Sequence, residues 1–581
     1  MLRTSTPPDG RSGMDSPAAH SAVGIPWLVA GLFLLNVVVL LPLWILEGGV
    51  HGQWISREAL LVAGLVALLP RRPAAWRTVA GAMVAVALLA VTVVGLADVT
   101  ARQSLARPLN LYLDLHLVSA VWNLLVGTMG TPAAAALLGG GGLAGFLVSG
   151  ATGALLARGA GGRRARVLGA ILVVLFALPL LLPDGVSGEE RRPGGTGIAL
   201  ASTLKGIMAA PGWVVSRDQV IRFRNMLGER ERFAAEMAAA PDRFRDRPGL
   251  LQGLGGRDVI LGFMESYGIT AVEDERYAPV IVPRLESIEE QLEAAGIHMV
   301  TGRLAAPTRG GQSWFSHGSL LSGLWLDNQL RYDLTLASGR DTLVDDFRAA
   351  GYRTEVLMPA IVLAWPEGER MGFDRIHAHR DIRYDGPPFN WVTMPDQFTW
   401  WYLERELRRG AADPRPLFAV VGLISSHAPW TPILPVLDDW EGLGDGAVFQ
   451  QWDGAGEAPA DLWRDTDRVR EHFALSVDYA LGAMAGWAER FVDDGTLLIA
   501  LGDHQPAPLI TGEDAGPDAP VHVMARDPAL LEPFLEWGFV PGAVPPGEDG
   551  VGMDRFRSWF VEAFSGEPDG VGGEGPDASL D

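Results

Sequence analysis

The chain has no cysteine among its 581 residues, which removes disulfides, thiolate metal clusters and cysteine nucleophiles together. Lysine is almost as scarce: Lys205 stands alone, so arginine supplies 46 of the 47 basic residues. With 71 glycines beside it, that bias reads as the mark of a GC-rich genome and carries no chemistry. Positive charge is short overall, 47 basic residues against 69 acidic ones, a net of −22. A phosphate backbone would repel such a chain, so a nucleic-acid partner is excluded.

Charge is also missing locally. Residues 1–200 hold 14 basic and 9 acidic side chains, whereas 201–581 hold 33 and 60. The first part reads as a membrane half, the second as a soluble, acidic half. Residues 24–46 carry no charge over 23 positions, enough to cross a hydrocarbon core of about 30 Å. This run is too long for a signal-peptide core and no small-residue cleavage site follows it, so it is expected to be retained. Further apolar segments cover 54–70, 76–97, 110–128, 132–157 and 165–183. Asn110, Asp114, His116 and Asn123 make 110–128 the weakest of these as a lipid-exposed span.

Arginine sets the orientation. Arg71, Arg72 and Arg77 lie in one loop, and Arg158, Arg163, Arg164 and Arg166 in another. Both loops are cytoplasmic only if an even number of spans separates them. Treating 110–128 as interfacial or re-entrant meets that condition and gives about five spans, a cytoplasmic N-terminus and an external second half. Six spans would leave one arginine loop on the wrong side. The expected organisation is an α-helical transmembrane bundle over 1–183, a linker with helices over 184–255, an α/β domain over 256–565, and a disordered tail over 566–581.

From residue 257 short apolar runs alternate with amphipathic helices, the pattern of an α/β sheet. Strands are expected at 259–264, 298–301, 353–358, 417–424, 497–501 and 521–525, with a helix over 341–350. In open α/β sheets ligands bind beyond the carboxyl ends of the strands. VILGFM ends in Glu265-Ser266-Tyr267-Gly268, LFAVVGLI in Ser425-Ser426-His427-Ala428-Pro429-Trp430, and LLIAL in Gly502-Asp503-His504. Each has a plain alternative: Glu265 as a helix cap, His427 as a satisfied loop histidine. Three such ends on one edge are harder to explain by packing. Gly310-Gly311-Gln312 then runs into a helix start at Ser313, which reads either as a nucleophile at the positive end of the helix or as an ordinary N-cap. His522 reads as a satisfied sheet histidine.

These residues resemble the alkaline-phosphatase/sulfatase superfamily, in particular its membrane-anchored branch of lipoteichoic acid synthases and phosphoglycerol and phosphoethanolamine transferases. The resemblance covers about residues 255–530. The sulfatase signature places the nucleophile at Ser313, its Ser at Ser316, its Arg at His317 and its closing tetrad at Leu320-Leu321-Ser322-Gly323. Phe315 replaces the signature Pro, so an unmodified serine, not formylglycine, is implied. The resemblance further implies a sulfatase/alkaline-phosphatase-like α/β/α domain outside a bacterial cytoplasmic membrane. It implies one divalent metal, Mn²⁺ ahead of Mg²⁺ or Zn²⁺, held by Glu265, Ser313, Asp503 and His504. It assigns the substrate side to His427, with His317 as second choice for acid–base work and Trp365 as a head-group contact. A phospholipid donor and an envelope glycan or lipid acceptor follow from the same likeness. Tyr267-Gly268 supplies no second carboxylate, which favours a one-metal transferase over a two-metal phosphatase. A hydrolase of phosphodiesters or sulfate esters on the same fold, or a degenerate envelope protein, are the rival readings.

The five-span topology has a direct check. A reporter fused near Gly130 should read as extracytoplasmic; a cytoplasmic signal there rejects the topology.

Overall fold

The computed structural model describes residues 24–566, apart from 51, 71–72, 182–205, 240–243, 245–246 and 364. Of the expected linker with helices over 184–255, residues 184–205 lie outside the described residues, as does the tail expected over 566–581 from residue 567 on. The chain divides into two compact units. The first comprises Met1–Arg102, Pro108–Leu111 and Val118–Arg224, and the second Gln103–Arg107, Tyr112–Leu117 and Asn225–Asp581.

Among the described residues, six α-helices precede residue 182: α1 (Gly24–Leu46), α2 (Arg57–Leu68), α3 (Ala74–Leu105), α4 (Leu117–Met129), α5 (Thr131–Gly159) and α6 (Arg163–Leu181). Among the described residues, α1, α3 and α5 are long and apolar enough to cross a membrane. At 1.5 Å per residue the 12 residues of α2 reach only about 18 Å. Helix α4, at 13 residues, is also too short to span, in keeping with its polar approach through Asp114. Helix α6 has 19 residues and opens on Arg163, Arg164 and Arg166. Close crossings rest on glycine: a Cβ on Gly153 of α5 would lie 2.1 Å from the Gly81 carbonyl of α3. One on Gly169 of α6 would lie 2.8 Å from the Gly64 carbonyl of α2. Without a hydrophobic drive between helices in lipid, such small-residue contacts are what allow tight packing. A further helix, α7 (Pro211–Ala239), lies within the stretch over 184–255 expected to carry helices.

The second unit is built on a nine-stranded sheet. Its strands are β1 (Asp258–Met264), β2 (His298–Ala305), β3 (Arg353–Met358), β4 (Arg375–Ala378), β5 (Leu417–Leu423), β6 (Thr496–Gly502), β7 (Asp518–Ala525), β8 (Val540–Pro541) and β9 (Val551–Gly552). Their order is β8-β2-β7-β6-β1-β5-β3-β4, with β9 beside β2. The block β6-β1-β5-β3-β4 is parallel, and β7 and β2 continue it antiparallel. All six expected strands are present; β2 runs on to Ala305, and the helix expected over 341–350 is Leu343–Ala349.

Parallel strands are buried on both faces, hence the unbroken apolar runs. Alternation sends Ile260 and Met264 to one face and Val259, Leu261 and Phe263 to the other. The first face is covered by α8 (Ala278–Ala294), through Ile281 and Leu285. The second is covered by α9 (Trp314–Ser322) and α10 (Leu343–Ala349), through Leu320, Val344 and Phe347. Helices α11 (Asp396–Tyr402) and α12 (Thr466–Phe491) join the first layer through Trp400 and Val477. Helix α13 (Phe556–Phe564) joins the second through Phe560. The architecture is the expected α/β/α sandwich.

A buried ion pair ties α13 to α10. Arg557 Nε and Nη2 donate to the two carboxylate oxygens of Asp346 at 2.8 and 3.1 Å, and both side chains are 2% exposed. Removing one partner strands a charge in the interior, at a cost of about 3–5 kcal/mol. Asp346→Ala should therefore lower the unfolding midpoint of the domain clearly; an unchanged midpoint in thermal scans would show that the pair contributes nothing net.

Candidate active site

Three neighbouring central strands converge at one edge. In β1, β5 and β6 the residues Met264, Leu423 and Gly502 pair in register, so the following residues leave the sheet side by side. The ladder continues through them: Glu265 N–H donates to the Leu423 carbonyl at 2.9 Å, and Asp503 N–H to the Met264 carbonyl at 3.1 Å. Gly502 has to be glycine, since a Cβ there would sit 1.8 Å from the Tyr267 carbonyl.

Ser313 precedes α9 and its side chain caps nothing. The N-cap reading of this serine is thereby set aside. Its hydroxyl lies instead 3.2 Å from Glu265 Oε2 and 3.2 Å from His504 Nε2. Glu265, Asp503 and His504 each offer a ligand atom within 4.8 Å of the others. His504 is turned by its other nitrogen, which meets the Gln505 carbonyl at 2.9 Å and leaves Nε2 facing the cluster. Asp503 Oδ1 accepts from the Ser266 and His504 amides, each at 2.7 Å, and Oδ2 lies 3.7 Å from His504 Nε2. Two carboxylates, an imidazole nitrogen and a hydroxyl are a hard O/N set suited to Mn²⁺, Mg²⁺ or Zn²⁺. The residues present fit a single divalent ion.

The electrostatics point the same way. Burial raises both carboxyls, but the His504 and His427 imidazoles, with hydrogen bonds from Ser266 and Ser313, bring Glu265 below its ordinary range. Asp503 is raised, by burial first and then by the Glu265 charge. Burial alone would lower His504, yet Asp503 and Glu265 outweigh it and raise it. The two carboxyls and the imidazole are thus strongly interacting groups, as a donor set for a cation requires.

His427 follows β5 with its Nδ1 against the Ala428 carbonyl, which assigns proton exchange to Nε2. His317, one turn along α9 from Ser313, stacks 4.0 Å from Phe263. Burial lowers its pKa to about 4, and its enclosed Nε2 has no hydrogen-bond partner within the described residues. His317 is therefore neutral near pH 7 and holds no second proton to give. Trp365 packs in apolar clusters with Trp314, Phe315, Met371 and Phe373, beside the start of α9. Trp391 stands beside His427, ring centres 6.3 Å apart, with its indole N–H enclosed and without a hydrogen-bond partner among the described residues. Its sequence surroundings carry no signal for that placement. His522 is a satisfied sheet histidine, as expected, between Tyr267 OH at 3.1 Å and Thr301 Oγ1 at 3.0 Å.

Asp396 was not singled out in the sequence. From the start of α11 it accepts from the Ile424 and Ser425 amides at 2.7 and 2.9 Å, and it holds the end of β5. The signal for it was local: Pro395-Asp396, a helix start.

No protein-family model matches the chain, and no curated protein does. Solved structures similar to it include a lipoteichoic acid synthase, LtaP, from Listeria monocytogenes, at 13% identity, 55% of this chain and 72% of the other, TM-score 0.34. The zinc complex of the periplasmic domain of EptC from Escherichia coli is similar at 15% identity, 46% and 72% coverage, TM-score 0.31. The phosphoglycerol transferase GacH of Streptococcus pyogenes with sn-glycerol-1-phosphate follows at 12% identity, 52% and 74% coverage, TM-score 0.32.

Elemental analysis tests the donor set. Purified protein should retain about one divalent ion per chain, and Glu265→Gln and His504→Ala should each lose it while keeping the fold by circular dichroism. Metal retained in both variants would place the ion elsewhere.

Proposed function

We propose that the protein is a membrane-embedded, metal-dependent phosphotransferase of the bacterial cytoplasmic membrane, with its catalytic domain on the outer side. It takes a phosphoglycerol or phosphoethanolamine group from a phospholipid and passes it to an envelope glycan or lipid through phospho-Ser313. The observation that carries this reading is the Ser313 hydroxyl, which abandons helix capping to meet Glu265 and His504. Three membrane-capable helices support a lipid donor, because tethering raises its effective concentration at the site.

Glu265, Ser313, Asp503 and His504 would hold the ion. When bound, it lowers the pKa of the serine hydroxyl and neutralises charge on the phosphoryl oxygens. Ser313, its hydroxyl proton given up to solvent, attacks phosphorus through Oγ as the alkoxide and is released as the alkoxide, while the diacylglycerol oxygen leaves with a proton from His427 Nε2. His427 then takes the proton of the acceptor hydroxyl as that oxygen displaces Ser313. Trp391, beside His427, is placed to border the head group. Neutral His317 packs under the nucleophile's helix.

Transfer is favoured over hydrolysis by the single cluster of metal-type residues among those described. The Tyr267 hydroxyl, where a second ligand would have to come from, is committed to His522.

Ser313→Ala should abolish release of diacylglycerol from phosphatidylglycerol vesicles while the protein stays folded and inserted. Mass spectrometry of the wild type should find a phosphoglycerol or phosphoethanolamine adduct on Ser313. Full activity in the variant removes the mechanism, and formylglycine at 313 turns the assignment to a sulfatase.

A further inference from the structure

Gln312, immediately before the nucleophile, has a left-handed backbone with φ of 64°. A glutamine adopts that region only when its surroundings hold it there. Much of what holds it belongs to Gln103–Arg107 and Tyr112–Leu117, short segments that form part of the same unit as the sheet. The Ser104 carbonyl comes so close to Gly310 that a Cβ there would lie 1.9 Å from it. Arg107 Nη2 donates to Gln312 Oε1 at 3.1 Å, a contact across 205 positions of sequence. Arg107 is itself fixed, since Nη1 and Nη2 donate to the two Asp114 oxygens at 3.0 and 2.7 Å, and the Asp114 side chain is 3% exposed.

A guanidinium has donors and no acceptor. The side of the Gln312 amide that meets Arg107 must therefore be its oxygen, and the NH₂ is left facing the other way. That Nε2 is buried and has no partner among the described residues, in a residue only 6% exposed. Buried donors are almost always satisfied, so one kept open beside a nucleophile calls for an acceptor that arrives from outside. Attack by Ser313 brings an anionic acceptor to this place.

We propose that Gln312 Nε2 donates to a non-bridging oxygen of the phosphoryl group carried by Ser313. Arg107, clamped by Asp114, is the positioning residue that keeps this amide turned the right way. The inference rests on the phosphotransferase reading of Ser313. The buried Arg107–Asp114 pair is then neither a membrane-span feature nor a bystander. It orients a binding donor.

The test uses the full-length, metal-loaded protein. Turnover is measured as diacylglycerol release from phosphatidylglycerol vesicles, and binding as calorimetric affinity of the Ser313→Ala protein for sn-glycerol-1-phosphate. Gln312→Ala should cut turnover at least tenfold and weaken glycerol phosphate binding several-fold. Arg107→Ala should do the same to a lesser degree, and Arg107→Lys should recover part of the loss. The double variant Arg107→Ala/Gln312→Ala should be no worse than Gln312→Ala alone, because one residue acts through the other. Gln312→Glu is the sharpest case. Its carboxylate still accepts from Arg107 and keeps the loop anchored, but it has no donor and repels phosphate, so turnover and binding should both fall. Wild-type turnover and binding in Gln312→Glu, or additive losses in the double variant, overturn the inference. Turnover that survives Ser313→Ala overturns the phosphotransferase reading instead, so the two failures are separable.

Discussion

Two carboxylates and an imidazole are taken out of water together at the ends of adjacent strands, and most of the second unit is organised by that cost. Isolated buried charge is prohibitively expensive, and it is tolerated only where hydrogen bonds and opposite charge meet it. Backbone supplies part of the compensation: Asp503 Oδ1 takes two amides, and the Ser266 hydroxyl reaches Glu265 Oε1 at 2.8 Å. The remaining negative charge is left directed at one point. Ser313 Oγ stands at that point, 3.2 Å from both Glu265 Oε2 and His504 Nε2.

The residues around the cluster serve its rigidity. Tyr267 is locked by His522, which is locked in turn by Thr301, whose hydroxyl donates to the Gly542 carbonyl at 2.7 Å. The proton positions follow from that chain: Nδ1 of His522 donates to Thr301, Nε2 accepts from Tyr267, and burial lowers its pKa to about 3. The neutral ring is a spacer in the sheet. On the opposite side Asp396 holds the β5 end, and the Ser426 hydroxyl donates to the Glu265 carbonyl. Every strand end at the site is thus tied to a neighbour.

The sandwich was legible because parallel strands buried on both faces leave unbroken apolar runs, and VILGFM, LFAVVGLI and LLIAL stand out as such. Glu265, His427, Asp503 and His504 were legible for a related reason, since a polar residue directly after such a run must sit at the sheet edge. Ser313 was ambiguous. An N-cap and a nucleophile share the same local sequence, and only the tertiary neighbours of its hydroxyl separate them. Trp391 and Trp365 illustrate the limit. Both follow loops without periodicity, so their sequence neighbours say nothing of which one meets His427. Arg107 and Gln312 lie 205 positions apart, and Asp114 reads as an oddity in an apolar segment until its partner is known.

The strand ladder does not stop at the catalytic edge, because the amides of Glu265 and Asp503 are bonded to the neighbouring strands. The site therefore shares the clock of the sheet. Fluctuations that expose those amides are openings of the central block, which are the rarest motions of a folded domain. Side chains and loops around the cluster move on their own fast timescale, whereas the backbone carrying Glu265 and Asp503 is renewed only when the domain itself opens. Hydrogen exchange at these two amides would in effect measure the lifetime of the whole sheet.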